Sequence, residues 1–363
     1  MKITLFVLPL AASFAFATEA NAQSDAAPDG AATAESAPPT SEQVPEPPGA
    51  PPDSGQAPEA SAAPEPAVSE APPVPNEAGA PPSAKPKPPP YSLPFQLRGV
   101  IPGNVVRSDS TLGLYKNAAG TASGSVFVST LLASYKLSDE FSPIVRLGVV
   151  SNSPPSPASS ATNFMNPVLG ALYGLKLSPE LRLGLFLGVT LPVGGGGGNT
   201  AATENKAANA AGIAARNAMD NAMFAVNDFT VFPGVDLAFI SSGFTAQIEA
   251  TLLQLTRVRG DDRAQPDSSR TNFTMGLHLG YFLIPELSLG AEIRHQRWLS
   301  TPRAVETNSA ARDTTTFAVG ARVHLKLAEK MWLRPGVSFS MPIDEPYSDA
   351  KYKNFQLDIP FVF

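Results

Sequence analysis

Few side chains in this sequence are of a kind that does covalent chemistry. There is no cysteine, which removes thiolate catalysis, thiolate metal ligation and any disulfide framework. Three histidines are present, His278, His295 and His324. A base and a nucleophile sharing one face of a strand must stand two residues apart, because side chains alternate between faces. His278 has Gly276 and Gly280 at that distance, His295 has Ile293 and Arg297, and His324 has Arg322 and Lys326. None has a serine there, and an isolated strand histidine is more often a hydrogen-bonded structural residue than a base. No histidine or carboxylate spacing matches a metal site. No catalytic residue, cofactor or metal ion is therefore expected. The unbroken run Gly194 to Gly198 is not a nucleotide phosphate loop, since no Gly-Lys-Ser/Thr follows it.

What remains is a set of polar residues at alternating positions: Arg98, Arg146, Lys176, Arg182, Asp236, Gln247, Glu249, Arg257, Glu292, Arg294, Arg322, Lys326, Arg334 and Asp358. Such groups pair with one another or select charged solutes. The elements that carry them have period two, the pattern of strands with one apolar and one polar face. The clearest places Leu181, Leu183, Leu185, Leu187, Val189, Leu191 and Val193 against Arg182, Gly184, Phe186, Gly188 and Thr190. About twelve such segments can be marked, near 94–107, 124–137, 143–151, 164–176, 181–193, 226–240, 244–258, 271–283, 287–300, 314–327, 332–342 and 351–363. Tight turns such as Leu177-Ser178-Pro179-Glu180 and Ile284-Pro285-Glu286 alternate with longer polar loops near 108–123, 152–163, 194–225, 259–270, 301–313 and 343–350. A soluble sandwich or lipocalin-like barrel shares the alternation. Its second face would carry more charge than the Gly, Ser, Thr and Ala found here.

The last residues alternate most tellingly: Phe355, Leu357, Ile359, Phe361 and the terminal Phe363 fall at every second position. Here the chain resembles Gram-negative outer-membrane β-barrel proteins, porin-like in kind, whose final strand ends in an aromatic residue. The resemblance implies an all-β fold, a transmembrane antiparallel up-and-down barrel of about twelve strands. It also implies that Phe363 addresses the barrel-assembly machinery and that the partners are outer-membrane lipids. An even strand count puts both termini on the periplasmic side. Tyr135, Tyr173, Phe239, Tyr281 and Trp332 collect near the short-turn ends, as an interfacial girdle would.

The N-terminus fits export. Met1-Lys2, an apolar run from Ile3 to Ala17 and Ala20-Asn21-Ala22 form the three parts of a signal peptide over 1–22. Residues 23–91 are rich in Ala, Pro and Glu, a composition that cannot bury enough apolar surface to fold. They are expected to be a disordered periplasmic linker, inert or in contact with the cell wall, ahead of a barrel over 92–363. With a net charge of −6, no nucleic-acid partner is expected, and the oligomeric state is open.

Two functions follow. One is a channel for passive diffusion of small hydrophilic solutes, with Arg98, Arg146, Arg182, Asp236, Glu249, Glu292, Arg294, Arg322, Arg334 and Asp358 as pore-lining candidates. The other is a non-conducting barrel that anchors the Pro-rich segment, its interior braced by pairs such as Glu249 or Glu292 with arginine. A membrane phospholipase is disfavoured by the missing His–Ser spacing. In the long loop, Ala-rich Thr203 to Met223 predicts a helix, with Asn199 or Thr200 as cap. It either folds inward, as a porin constriction loop does, or lies on the outer surface. Asp261, Asp262 and Asp267 are read as a solvated acidic loop before a cation or lipopolysaccharide site.

Overall fold

The computed structural model describes residues 91–117, 119–260 and 266–363. The expected signal peptide, nearly all of the Pro-rich linker, and Asp261 and Asp262 lie outside the described residues. The strands are β1 (Val105–Lys116), β2 (Ser123–Ser134), β3 (Phe141–Ser153), β4 (Ala161–Phe164), β5 (Val168–Lys176), β6 (Leu181–Thr190), β7 (Asp228–Ser241) and β8 (Phe244–Arg257). They continue as β9 (Ser269–Ile284), β10 (Leu287–Trp298), β11 (Asp313–Val323), β12 (Leu325–Lys326), β13 (Trp332–Leu333), β14 (Gly336–Pro342) and β15 (Lys353–Val362). Twelve of them form an antiparallel ring, β1-β2-β3-β5-β6-β7-β8-β9-β10-β11-β14-β15, which closes where β1 pairs β15 from Val105↔Val362 to Leu114↔Lys353. Closure leaves no unpaired edge, the condition for a sheet to cross lipid. The small pieces complete ring positions. β4 continues β5 beyond the break at Pro167, which has no N–H to give a ladder, and the β12–β13 hairpin prolongs β11.

The two faces sort as period two requires. Along β8, Thr245, Gln247, Glu249 and Thr251 are buried inside the ring, while Phe244, Ile248 and Leu252 face out. On the last strand Asn354, Gln356 and Asp358 point in, and Phe355 and Leu357 point out. The outer surface is a belt of aliphatic side chains; Leu187 is 54% exposed and Ile248 53%. A continuous apolar belt far exceeds what a water-soluble surface carries, and it is the inverse of a lipocalin, whose apolar face is internal. Of the expected girdle, Tyr135, Tyr173, Phe239 and Tyr281 are exposed, whereas Trp332 is half-buried and lines the internal cavity. Among the described residues no helix is long and apolar enough to cross a membrane; the strands do the crossing.

One expected element is corrected. The first strand is not 94–107 but β1, eleven residues further on at its start, so the loop expected over 108–123 shrinks to the residues between Lys116 and Ser123. Its alternation is masked because serines occupy outward positions: Ser108 and Ser110 stand on the same face as Val106, Leu112 and Leu114. Ser110 satisfies its hydroxyl against Ser129 of β2 at 2.9 Å. Phe95, Leu97 and Val100 are not spaced by two throughout and belong to no strand; they are buried inside the ring.

Candidate functional site

The interior of the ring is the candidate site, and two segments of the chain enter it. The first is 91–104, which enters the lumen from β1. Phe95, Leu97 and Val100 are each at most 3% exposed. Their room comes from residues without side chains on the inner wall. The Phe95 ring lies over Gly320 and Gly336, where a Cβ would come within 2.7 and 2.8 Å of it, and Leu97 lies over Gly276. A segment without a ladder must still pair its backbone groups. The barrel wall does this with side chains: Glu292 accepts from the amides of Phe95 and Gln96 at 2.6 and 2.8 Å, and Glu249 from that of Arg98 at 2.7 Å. Gln356 donates to the Phe95 carbonyl, and Arg107 donates to those of Pro94 and Phe95. Tyr91, read from the sequence as the end of the linker, donates its hydroxyl to Gln247 at 2.6 Å.

The second is the long loop between β6 and β7, and the inward alternative holds. It contains helix α1 (Thr203–Ala215) and a single turn, α2 (Asn221–Phe224). The cap is Ala202, not Asn199 or Thr200, and no side chain caps it. The glycine run serves the turn into the helix: Gly196 and Gly198 have φ of 78° and 82°, which other residues resist. The small side chains of α1 let it pack on Val126, Val128 and Val150 of the inner wall. At Gly212 any Cβ would overlap the Phe224 ring.

Beyond α1 the chain reverses through Asn217 and Ala218 at φ of 53° and 57°. For a residue with a Cβ this left-handed region costs roughly 1 kcal/mol or more, so other contacts must hold it. Asn217 donates to Ser340 at 2.7 Å and accepts from Asn354 at 2.9 Å. Arg216, fully buried, joins Asp109 of β1 at 2.5 Å and Asp220 at 2.8 Å, and donates to Thr111 at 2.7 Å. Arg146 on β3 holds Asp220 at 2.5 Å, and Asn221 donates to Gln296 on β10. The loop thus spans the lumen from β1–β4 to β10, β14 and β15.

Between the inserts lies a cavity of about 650 Å³. Met219, Asp220 and Met223 of the loop bound it at one end, and it reaches Pro285 and Trp332 beside the short turns at the other. Its wall combines Leu132, Leu172, Phe186 and Leu253 with Arg98, Arg146, Glu249 and Arg294.

The residues picked from the sequence fall into three groups. Asp236, Glu249, Glu292, Arg294, Arg322 and Asp358 are buried within the ring, and Arg146 faces inward to Asp220. They are largely paired, as with Arg322 to Asp358 at 2.5 Å. Arg98 is internal too, but it comes from the 91–104 segment rather than a strand, with Asp236 and Glu249 each at 3.4 Å. Arg182 instead turns to the rim, donating to the carbonyls of Ser178, Leu181 and Pro179. Arg334 sits by the short-turn end with its guanidinium over Trp332. Sequence reasoning missed Arg107, Asp109, Arg216 and Asp220. The two in β1 were hidden with that strand, and the two in the loop gain their role only from contacts across the lumen.

His278 binds Glu292 through Nδ1 at 2.9 Å, and among the described residues its Nε2 has no hydrogen-bond partner. Ser92 crowds the same spot: a Cβ on Gly280 would overlap both Ser92 Oγ and His278 Nε2. A serine, a histidine and a carboxylate therefore meet, yet Ser92 and His278 are buried and neither lines the cavity. Through Glu292, which accepts from the amides of Phe95 and Gln96, this cluster clamps the 91–104 segment. Among the described residues no group of side chains is arranged to hold a metal ion.

No family model matches the chain, and no curated protein matches it. Among solved structures, the KdgM porin is similar at a TM-score of 0.40 and 8% identity, covering 71% of this chain and 99% of that one. An outer membrane channel from Pseudomonas putida F1 is similar at a TM-score of 0.44 and 17% identity, covering 74% and 97%. The NanC porin is similar at 0.42 and 8%, covering 70% and 98%.

Proposed function

We propose that this barrel is an outer-membrane channel for passive diffusion of small hydrophilic solutes, closed in the present conformation by the loop insert. The observation that carries this is the cavity itself. It runs from the short-turn end along a wall that mixes apolar side chains with Arg98, Arg146, Glu249 and Arg294, and it meets Met219, Asp220 and Met223 of the inserted loop. A barrel built only as a brace has no reason to keep such a space, and a loop held by side-chain contacts to several strands can leave without breaking the ring. Sidedness follows the usual plan, with short turns and both termini in the periplasm and the long loops outside. Phe363 serves as the assembly address and the belt as the lipid contact.

The non-conducting alternative draws on one observation, the clamping of 91–104 inside the barrel, which ties the Pro-rich segment and any cell-wall contact through 23–91 to the membrane. The readings separate in a planar bilayer. A channel predicts stepwise current that grows when Thr203–Phe224 is deleted, with little change on deleting 23–90. An anchor predicts silence in both forms and loss of cell-wall association without 23–90.

A further inference from the structure

The lumen arginines are not equally satisfied. Arg216 has two carboxylates and a threonine, and Arg146 has both oxygens of Asp220 with Thr130 behind. Arg294, also in the cavity wall, is only 5% exposed yet loosely held. Its carboxylate neighbour, Glu249, stands at 3.7 Å, and that carboxylate is already engaged by the Arg98 amide and guanidinium. Its Nη2 donates to the Met219 carbonyl at 3.3 Å, its Nη1 has Glu249 only at 3.7 Å, and among the described residues its buried Nε has no hydrogen-bond partner. A buried guanidinium with an unused donor is costly unless something pairs with it. The same cavity is also walled by apolar surface from Leu132, Ile144, Leu172, Phe186, Phe232 and Leu253.

We propose that this cavity is a binding site for a small organic monoanion, its carboxylate on Arg294 and its apolar body against the Leu172, Phe186, Phe232 and Leu253 wall. The apolar wall rewards a hydrocarbon or aromatic body. The guanidinium supplies planar, charge-assisted donors to one carboxylate. The apolar wall that receives the far end of the solute makes burying a second negative charge there costly. This narrows the solute class of the channel and rests on that reading only for its route of entry.

The test is equilibrium binding to the full chain in lipid nanodiscs, against empty nanodiscs, with three probes: 4-phenylbutanoate, its neutral analogue 4-phenylbutan-1-ol, and the dianion glutarate. The acid is expected to bind at least about tenfold more tightly than the other two. Arg294→Met reduces the acid to the level of the alcohol and leaves the alcohol unchanged, and Arg294→Lys recovers part of the loss. Equal binding of acid and alcohol, glutarate as tight as 4-phenylbutanoate, no binding of the acid, or an Arg294→Met barrel that holds the acid unchanged each overturns the site. If Arg294→Met does not fold, as judged by heat-modifiable gel mobility, the three-probe comparison on the native chain decides alone. Bilayer silence of the loop-deleted form sinks the channel and leaves this binding result standing, so the two failures are distinct.

Discussion

Arg216 Nη2 lies 2.5 Å from Asp109 Oδ2, with the arginine side chain 0% exposed. The contact joins the tip of an inserted loop to the first strand of the ring. Removing one partner of a buried pair leaves the other charged and uncompensated, which costs roughly 3–5 kcal/mol. Arg216→Met is therefore predicted to undock the loop while the ring stays closed. Amide exchange over 203–224 then rises by about a hundredfold or more, and the heat-modifiable gel shift of the barrel persists. Unchanged exchange in a folded variant contradicts this.

The inner segment has its own clamp. Glu292 accepts from two buried amides and from His278, and each donor left without a partner costs about 1–3 kcal/mol. Glu292→Ala should speed exchange at Phe95 and Gln96 well before that of β8 and β9. Equal protection at these amides in both proteins would show that packing of Phe95, not the carboxylate, holds the segment.

How much of this was readable depended on whether lipid or a local partner decides the pattern. The alternation from Leu181 to Val193 named the start of its strand to the residue and overran its end at Thr190 by three, because apolar side chains meet lipid at its outward positions. Phe355 to Phe363 did the same for the strand that closes the ring. The failure at 94–107 has the opposite cause. Phe95, Leu97 and Val100 are placed to suit glycines inside the barrel, and their apolar character alone does not distinguish that floor from lipid. Within the site, Asp236, Glu249 and Glu292 were legible as buried acids on polar faces. Arg216 was not, since nothing near it in sequence reveals a carboxylate 107 residues away. A further hint lay in the many Gly, Ser and Thr residues of the inner face, which left space that the chain itself partly fills.

Acid should open the loop. Burial pushes the Asp220 carboxyl up, but Arg146 and Arg216 beside it outweigh burial and hold it below the usual carboxylate range. A carboxyl lowered in the docked state stabilises docking above its undocked pKa, and this is lost as pH falls through the lowered value. Conductance measured from pH 7 downward should stay low until below about pH 4, the ordinary aspartate range, and then rise. In Asp220→Asn that rise is absent. A rise centred near neutral pH contradicts the assignment.

The belt predicts a depth-dependent penalty. Leu185 faces outward from the middle of β6 at 45% exposure and pairs Val235. Leu185→Arg places a charge against hydrocarbon at a cost of about 2–4 kcal/mol, whereas Leu177→Arg, at a short turn, costs little. Urea-unfolding midpoints in lipid vesicles measure the difference. Equal midpoints for the two variants would mean that this face does not meet lipid.

The most direct test of a closed channel is the current through single barrels when both clamps are released. The native chain, Arg216→Met and the double variant Arg216→Met/Glu292→Ala are reconstituted separately in planar bilayers. Rare, small steps are predicted for the native chain, larger ones for the single variant and the largest for the double. A double variant that is folded, inserted and electrically silent contradicts a closed channel.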